Sequence, residues 1–333
     1  MARKKIVTIG GGTGSFTLLN GLKKYPVDIS AVVSMVDDGG STGVLRDELG
    51  VLPPGDVRQC LVALSESSKE LRNLMNYRFE KGALKGHSFG NLFISALEKI
   101  DGKFSKGIET ASKILNVKGE VVPVTDQDVN LFIQLKNGKT LKGENEINHS
   151  FEIEKKGIKK IYLTPKAKAN KKAIQKILKA DMIVIGPGNY YCSIVPNLLV
   201  KGISEAIIKS KAKVVFNCNL VNKKGQTENF SLEDYITSLN KFIGKERIDY
   251  ATFNSKKPRE NLVKKYASQR QLLIKLKTNC DAEEKKKIIC ADLLSAEKPK
   301  YSKADYLAKK RSFIRHDSEK LAKILMNILN KKR

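Results

Sequence analysis

The chain has 333 residues, 41% of them hydrophobic, and a formal net charge of +27. That length holds an ample core in one large α/β domain or two smaller ones, and no apolar run approaches transmembrane length. Only eleven of the 62 basic residues are arginine, the lysines run along the whole chain, and no nucleic-acid-binding module is visible, so nucleic acid is not an expected partner. The lysine clusters read as solvated faces that steer anions without naming one. Five scattered cysteines with no CxxC pair argue against disulfides and a zinc site and for a reducing compartment. The apolar run after MARKK is too short for a signal peptide, so the expected location is the cytoplasm.

The first element is a strand over 5–9, followed by Gly10-Gly11-Gly12-Thr13-Gly14-Ser15 and a helix over 16–22. A glycine-rich turn between strand and helix aims backbone N–H groups and the helix dipole at an anion. The spacing departs from GxGxxG, because Ser15 stands where the third glycine would be; a tight turn without a ligand is the plainer account. A second buried strand over 29–36 ends on Asp37 and Asp38, where a nucleotide-binding βαβ unit places an acid near a ribose hydroxyl. Gly39, Gly40, Ser41, Thr42 and Gly43 read as a loop whose amides approach an anion. Arg46 and Asp47 open a short helix, and the turn Leu52-Pro53-Pro54-Gly55-Asp56 makes Asp56 the N-cap of a helix over 57–66 that carries Arg58. Two ordinary turns with solvated charges are the alternative.

A helix over 71–79 precedes Gly86-His87-Ser88-Phe89-Gly90-Asn91 and a further helix over 92–100. His87 reads equally as a phosphate donor or acid–base group and as a cap; Gly90 and Asn91 suggest a close approach of backbone or ligand. From 118 to 163 the pattern turns to short strands at 121–124, 131–135, 140–141 and 158–163, a small β-rich subdomain inserted into a single α/β domain of 1–333. Its charged stretch 144–160 carries no chemical signal. A helix over 171–179 and a strand over 182–185 lead to Gly186-Pro187-Gly188-Asn189 and a helix over 195–210. Strands follow at 213–217, 249–254 and 288–293, a connection of undefined shape lies at 262–267, and Ile314-Arg315-His316-Asp317 precedes an amphipathic helix over 318–329. Asp317 or Ser318 is its N-cap, which gives His316 a structural reading as good as a catalytic one. Glycine-rich or polar loops after several strands suit a site at the carboxyl ends of a mostly parallel, Rossmann-like sheet with helices on both faces.

The motifs GGGTGS, SMVDDGGSTGVLRDELGVLPPGDVRQCLVAL, GHSFGNL, ADMIVIGPGNYYCSIVPNLLVKGISEAI, NLVNKKGQTENFS and RHDSEKLA resemble the gluconeogenesis factor family, relatives of the 2-phospho-L-lactate transferases of deazaflavin coenzyme synthesis. The resemblance runs from residue 6 to about 330. It implies a Rossmann-like fold, a cytoplasmic bacterial protein, binding of a UDP-sugar, and a role in carbon metabolism, cell shape and envelope synthesis with protein partners not yet identified. It also implies that Gly11, Gly12, Thr13, Gly14, Asp37, Asp38, Gly39, Gly40, Ser41, Thr42, Arg58, Gly188 and Asn189 contact the ligand, with His87 and Asn91 beside them. The ligand is then a nucleotide-sugar or dinucleotide, no cofactor is required, no catalytic residue is assigned, and a homo-oligomer is compatible with the sequence. Two stretches depart from the family pattern: 189–192, Asn-Tyr-Tyr-Cys, replaces a serine-rich, threonine-containing loop, and 223–226, Lys-Lys-Gly-Gln, stands where glutamine, proline, glycine and glutamate are usual. Two functions stay open. One is a regulator that binds a nucleotide-sugar without turnover. The other is a transferase of a phosphoryl-linked group, with Asp37 and Asp38 holding Mg²⁺ and Arg58 neutralising developing charge.

Overall fold

The computed structural model describes residues 2–269, 271–277, 287–296 and 314–331. Seven strands form one parallel sheet: β1 (Lys5–Gly10), β2 (Asp28–Val33), β3 (Glu120–Pro123), β7 (Met182–Ile185), β8 (Lys213–Asn217), β9 (Tyr250–Asn254) and β10 (Ile288–Ala291). Their order is β10-β9-β8-β7-β1-β2-β3, so the chain builds outward from β1 in one direction, then returns to its other side and builds the opposite way. β7 and β8 are buried at every position, as apolar, β-branched strands covered on both faces must be. The other three strands, β4 (Asn130–Leu135), β5 (Thr140–Lys142) and β6 (Ile158–Thr164), make a small antiparallel sheet.

The small sheet differs from the expectation at one edge. Val121 and Val122 pair with Ala31 and Val32 of β2, so the strand read at 121–124 closes the main sheet instead of opening the insertion. The short buried run Val121-Val122-Pro123-Val124 reads alike in either place, and only the partner decides. β4 alternates buried and half-buried positions, and its inner residues Leu131, Ile133 and Leu135 join the same hydrophobic core as Ile6, Ile9 and Ile183.

Helices α1 (Gly12–Leu22), α2 (Gly40–Leu49), α3 (Pro54–Leu64), α4 (Lys69–Asn76), α5 (Phe89–Asp101) and α6 (Phe104–Ile114) fall between β1 and β3. The small sheet carries α7 (Gly143–His149) and α8 (Ile153–Lys156), and α9 (Lys171–Leu178) leads into β7. A π-turn at Tyr190–Ile194 precedes α10 (Val195–Leu199) and α11 (Ile203–Lys209); the helix read over 195–210 is thus broken at Gly202, whose φ is 106°. α12 (Leu232–Ile243) and α13 (Glu260–Ser268) follow, the second giving shape to the connection at 262–267. α1 packs on α3 and on the C-terminal helix Ser318–Asn330, while α10 packs on α11 and α12, which gives helical layers on both faces. Among the described residues no helix is long and apolar enough to cross a membrane. Cys60, Cys192 and Cys218 are buried free thiols and Cys290 is exposed, while Cys280 lies outside the described residues.

Lys213 at the start of β8 fixes the C-terminal helix. Its buried ammonium donates to the carbonyls of Ile328 (2.7 Å), Leu329 (3.3 Å) and Lys331, the acceptors a helix end leaves unpaired. At the other end, Asp317 accepts from the N–H groups of Glu319 and Lys320, both at 3.0 Å, the cap read from the sequence. Lys213→Ala should lower stability by about 1–3 kcal/mol in a urea melt, the range for buried polar groups left unpaired.

Candidate functional site

β1 and β7 are neighbours, yet the connections leaving them run to opposite sides of the sheet. A crevice opens between their carboxyl ends, the place where open α/β sheets bind ligands. α1 starts there at Gly12, whose φ of +62° suits glycine. A Cβ on Gly14 would collide with the Pro187 carbonyl, so this glycine has a packing reason: it lets α1 lie against the loop after β7. The cleft measures about 810 Å³. Of the residues expected at a ligand, Gly11, Gly12, Thr13, Gly14, Asp37, Gly39, Gly40, Ser41, Thr42, Arg58, Asn91, Gly188 and Asn189 line it together.

Asp38 and His87 do not line it. The Asp38 carboxylate turns outward and accepts from the N–H of Asn145 at 2.8 Å, tethering the first turn of α7. His87 stands behind the wall, its Nδ1 3.2 Å from Ser41 Oγ. The stretch 39–43 is no loop: Gly39 is the N-cap of α2, and Arg46 lies in that helix's last turn, donating to the Asp37 carbonyl (3.1 Å) and to Asp128 (2.6 Å). Three glycines in five residues hid the helix, since glycine is a poor helix former. Asp56 is not a cap either. α3 starts at Pro54, and Asp56 lies within its first turn, its carboxyl packed against Gly11 and accepting from the Gly12 N–H. Arg58 is largely committed to the protein: Nε donates to Asn91 Oδ1 (2.9 Å) and Nη1 to Asn76 Oδ1 (2.8 Å) and the Met75 carbonyl (3.3 Å).

Several wall residues were not among those expected at the ligand. α7 brings Glu144 and Asn148, the loop after β8 brings Lys223 and Gln226, and the last third brings Tyr266, Arg315 and His316. Three of these side chains, with Asn189, form a polar lock. Asn148 Oδ1 accepts from Asn189 Nδ2 (2.7 Å), Cys192 Sγ (3.4 Å) and Lys223 Nζ, while Gln226 Nε2 donates to the Ile147 carbonyl (2.8 Å). These bonds use the amide nitrogens and leave the buried oxygens Asn189 Oδ1 and Gln226 Oε1 without a partner among the described residues. His316 has the same excess. Its Nδ1 side donates to the Cys218 backbone, and Nε2 is buried and unpartnered. Burial pushes its pKa down to about 4, so the ring is neutral and Nε2 is an acceptor at neutral pH.

Residues 6–294 match the family model described as 2-phospho-L-lactate transferase CofD. The gluconeogenesis factor of Bacillus subtilis (strain 168) is 38% identical over 329 residues, 98% of each chain. That of Halalkalibacterium halodurans is 42% identical over 272 residues, 81% of this chain and 83% of its own. The crystal structure of a UPF0052 family member from Bacillus halodurans superposes with a TM-score of 0.87 at 36% identity, covering 98% of this chain and 99% of that one. The chain belongs to the gluconeogenesis factor family. Its Rossmann-like α/β architecture is the one these relatives carry.

In this family member three carboxyls converge on the cleft. Asp37 accepts from the Gly39 N–H at 3.0 Å and from the Thr42 hydroxyl, yet burial raises its pKa. Burial pushes Asp56 up to about 8, with the Asp37 charge adding to it. Glu144 rises well above the carboxylate range for the same two reasons, burial first and then the charges of Asp37 and Asp56. Among the described residues no three His, Cys, Asp or Glu side chains are arranged to hold a metal ion. Asp37 and Asp38, the pair expected to share one, point to different neighbours. The folded chain keeps the Asp56 proton to about pH 8, whereas an unfolded aspartic acid loses it near 3.8. Folding therefore takes up a proton between those values, and this contribution to stability is lost as pH rises through 8. Urea melts between pH 5 and 9 should show wild type weakening toward alkaline pH. Asp56→Asn should flatten that slope and be the more stable protein at pH 9.

Proposed function

We propose that the chain is a cytoplasmic regulatory protein that binds a UDP-sugar and supports cell shape and envelope synthesis during growth on gluconeogenic carbon. The observation that carries the ligand class is the pairing of an anion-binding helix start with surplus acceptors in one cleft. The N-terminus of α1 offers backbone N–H groups and a positive dipole end to a diphosphate. Asn189 Oδ1, Gln226 Oε1 and His316 Nε2 are buried acceptors that want hydrogen-bond donors. A nucleotide-sugar carries both kinds of group: an anionic diphosphate and a set of hydroxyls. Tyr266 adds an aromatic ring to the wall, a surface on which a base can stack. The relatives' name, gluconeogenesis factor, supports the link to carbon metabolism.

A transferase of a phosphoryl-linked group is the second reading, and the three carboxyls favour it. Mg²⁺ is commonly held by one or two carboxylates plus ligand phosphates, and Asp37 and Asp56, both on the wall, fit that role; bound there, it would neutralise phosphate charge. Asp38 would then act by holding α7 in place.

Calorimetry should show stoichiometric binding of UDP-sugars. His316→Phe should weaken it by about 1–3 kcal/mol, the effect of leaving a ligand donor unpaired. With UDP-sugar, Mg²⁺ and a cytosolic small-molecule extract, chromatography should show no nucleotide release beyond one equivalent. Multiple turnovers that disappear in Asp37→Asn or Asp56→Asn would replace the regulator with the transferase.

A further inference from the structure

Lys223 is a largely buried cation on the cleft wall, and its hydrogen bonding is incomplete. Its ammonium carries three donors, and its hydrogen-bond acceptor among the described residues is Asn148 Oδ1. That oxygen already receives Asn189 Nδ2 and Cys192 Sγ, and an sp² oxygen has two lone pairs. Asn148 itself is fixed, because its Nδ2 donates to Glu144 Oε1 at 3.0 Å. Glu144 acts on Lys223 as a charge through space and is not its hydrogen-bond partner. Burial lowers the Lys223 pKa, the mark of an ammonium stripped of water, and the side chain lines the cleft. A desolvated cation with donors to fill takes an anionic oxygen in preference to a neutral one.

We propose that Lys223 is an anion-binding cation of the cleft, held by Asn148 of α7 so that its remaining N–H groups take a negatively charged oxygen of the ligand. This rests on the nucleotide-sugar reading above and adds to it the ligand oxygen that Lys223 takes. Two oxygens share that chemistry: a diphosphate oxygen, common to every nucleotide-sugar, and a carboxylate on the sugar. The stretches 189–192 and 223–226 meet here on one atom of the inserted helix.

The test titrates wild type, Lys223→Gln and Lys224→Gln with inorganic pyrophosphate, UDP, UDP-glucose and UDP-glucuronate. Lys224 is the control, since its ammonium lies over the Phe151 ring at 4.7 Å and its loss changes net charge equally. Lys223→Gln should weaken binding at least tenfold while Lys224→Gln stays within twofold. If the loss covers all four probes the partner is the diphosphate; if it is confined to UDP-glucuronate the partner is the sugar carboxylate. Asn148→Asp, which offers Lys223 a permanent counter-ion, should reproduce the loss with Lys223 intact and so guards against a misfolded Lys223 variant. Wild-type affinity for every probe in Lys223→Gln, or an equal loss in Lys224→Gln, would overturn the assignment. Wild type that binds pyrophosphate but no UDP compound would end the nucleotide-sugar reading and leave the assignment to be decided on pyrophosphate. Binding of none of the four would overturn both.

Discussion

The site depends on the reversal of strand order between β1 and β7. Because successive strands step away from β1 on one side and from β7 on the other, the loops that leave these two strands must part, and a crevice follows. The crevice has walls in register because the loops are held against one another. Gly14 lies against the Pro187 carbonyl, and the Gly188 N–H donates to Asn219 Oδ1 at 3.1 Å, tying the loop after β7 to the loop after β8. Move either contact and the N-terminus of α1 no longer faces the residues opposite it.

The inserted antiparallel sheet supplies the third wall. Its apolar face joins the main core, so α7 is held as firmly as the elements it faces. Two polar attachments then set its orientation over the cleft: Asp38 on the Asn145 N–H, and the donors gathered on Asn148 Oδ1. This accounts for the split between two adjacent acids. Asp37 faces the cleft and Asp38 fastens the wall.

In a chain with a net charge of +27, three carboxyls, Asp37, Asp56 and Glu144, still gather on one cleft, among basic wall residues such as Arg58, Lys223 and Arg315. The lysines are mostly solvated, where screening makes each worth little, while burial raises the pKa of Asp37, Asp56 and Glu144 and the Asp37 charge adds to the rise at the other two. Composition therefore spoke to the surface and was silent about the site.

Local pattern was enough for the parallel strands, the glycine turn before α1, the cap at Asp317 and the family motifs, since each is set by residues adjacent in the chain. It also placed Gly11 to Gly14, Asp37 and Asn189 at strand ends where a crevice would gather them. Local pattern failed wherever the partner lay far along the chain. Val121 and Val122 read as part of the insertion until pairing with β2 claimed them. Glu144 and Asn148 sat in a stretch with no chemical signal, Lys223 and His316 sat in motifs that did not mark them as ligand contacts, and only the packing of α7, the loop after β8 and the C-terminal helix brought all four onto one cleft. The reason is physical: strand and helix signals come from neighbours along the sequence, whereas desolvation and unpaired acceptors come from neighbours across space, which the sequence does not order.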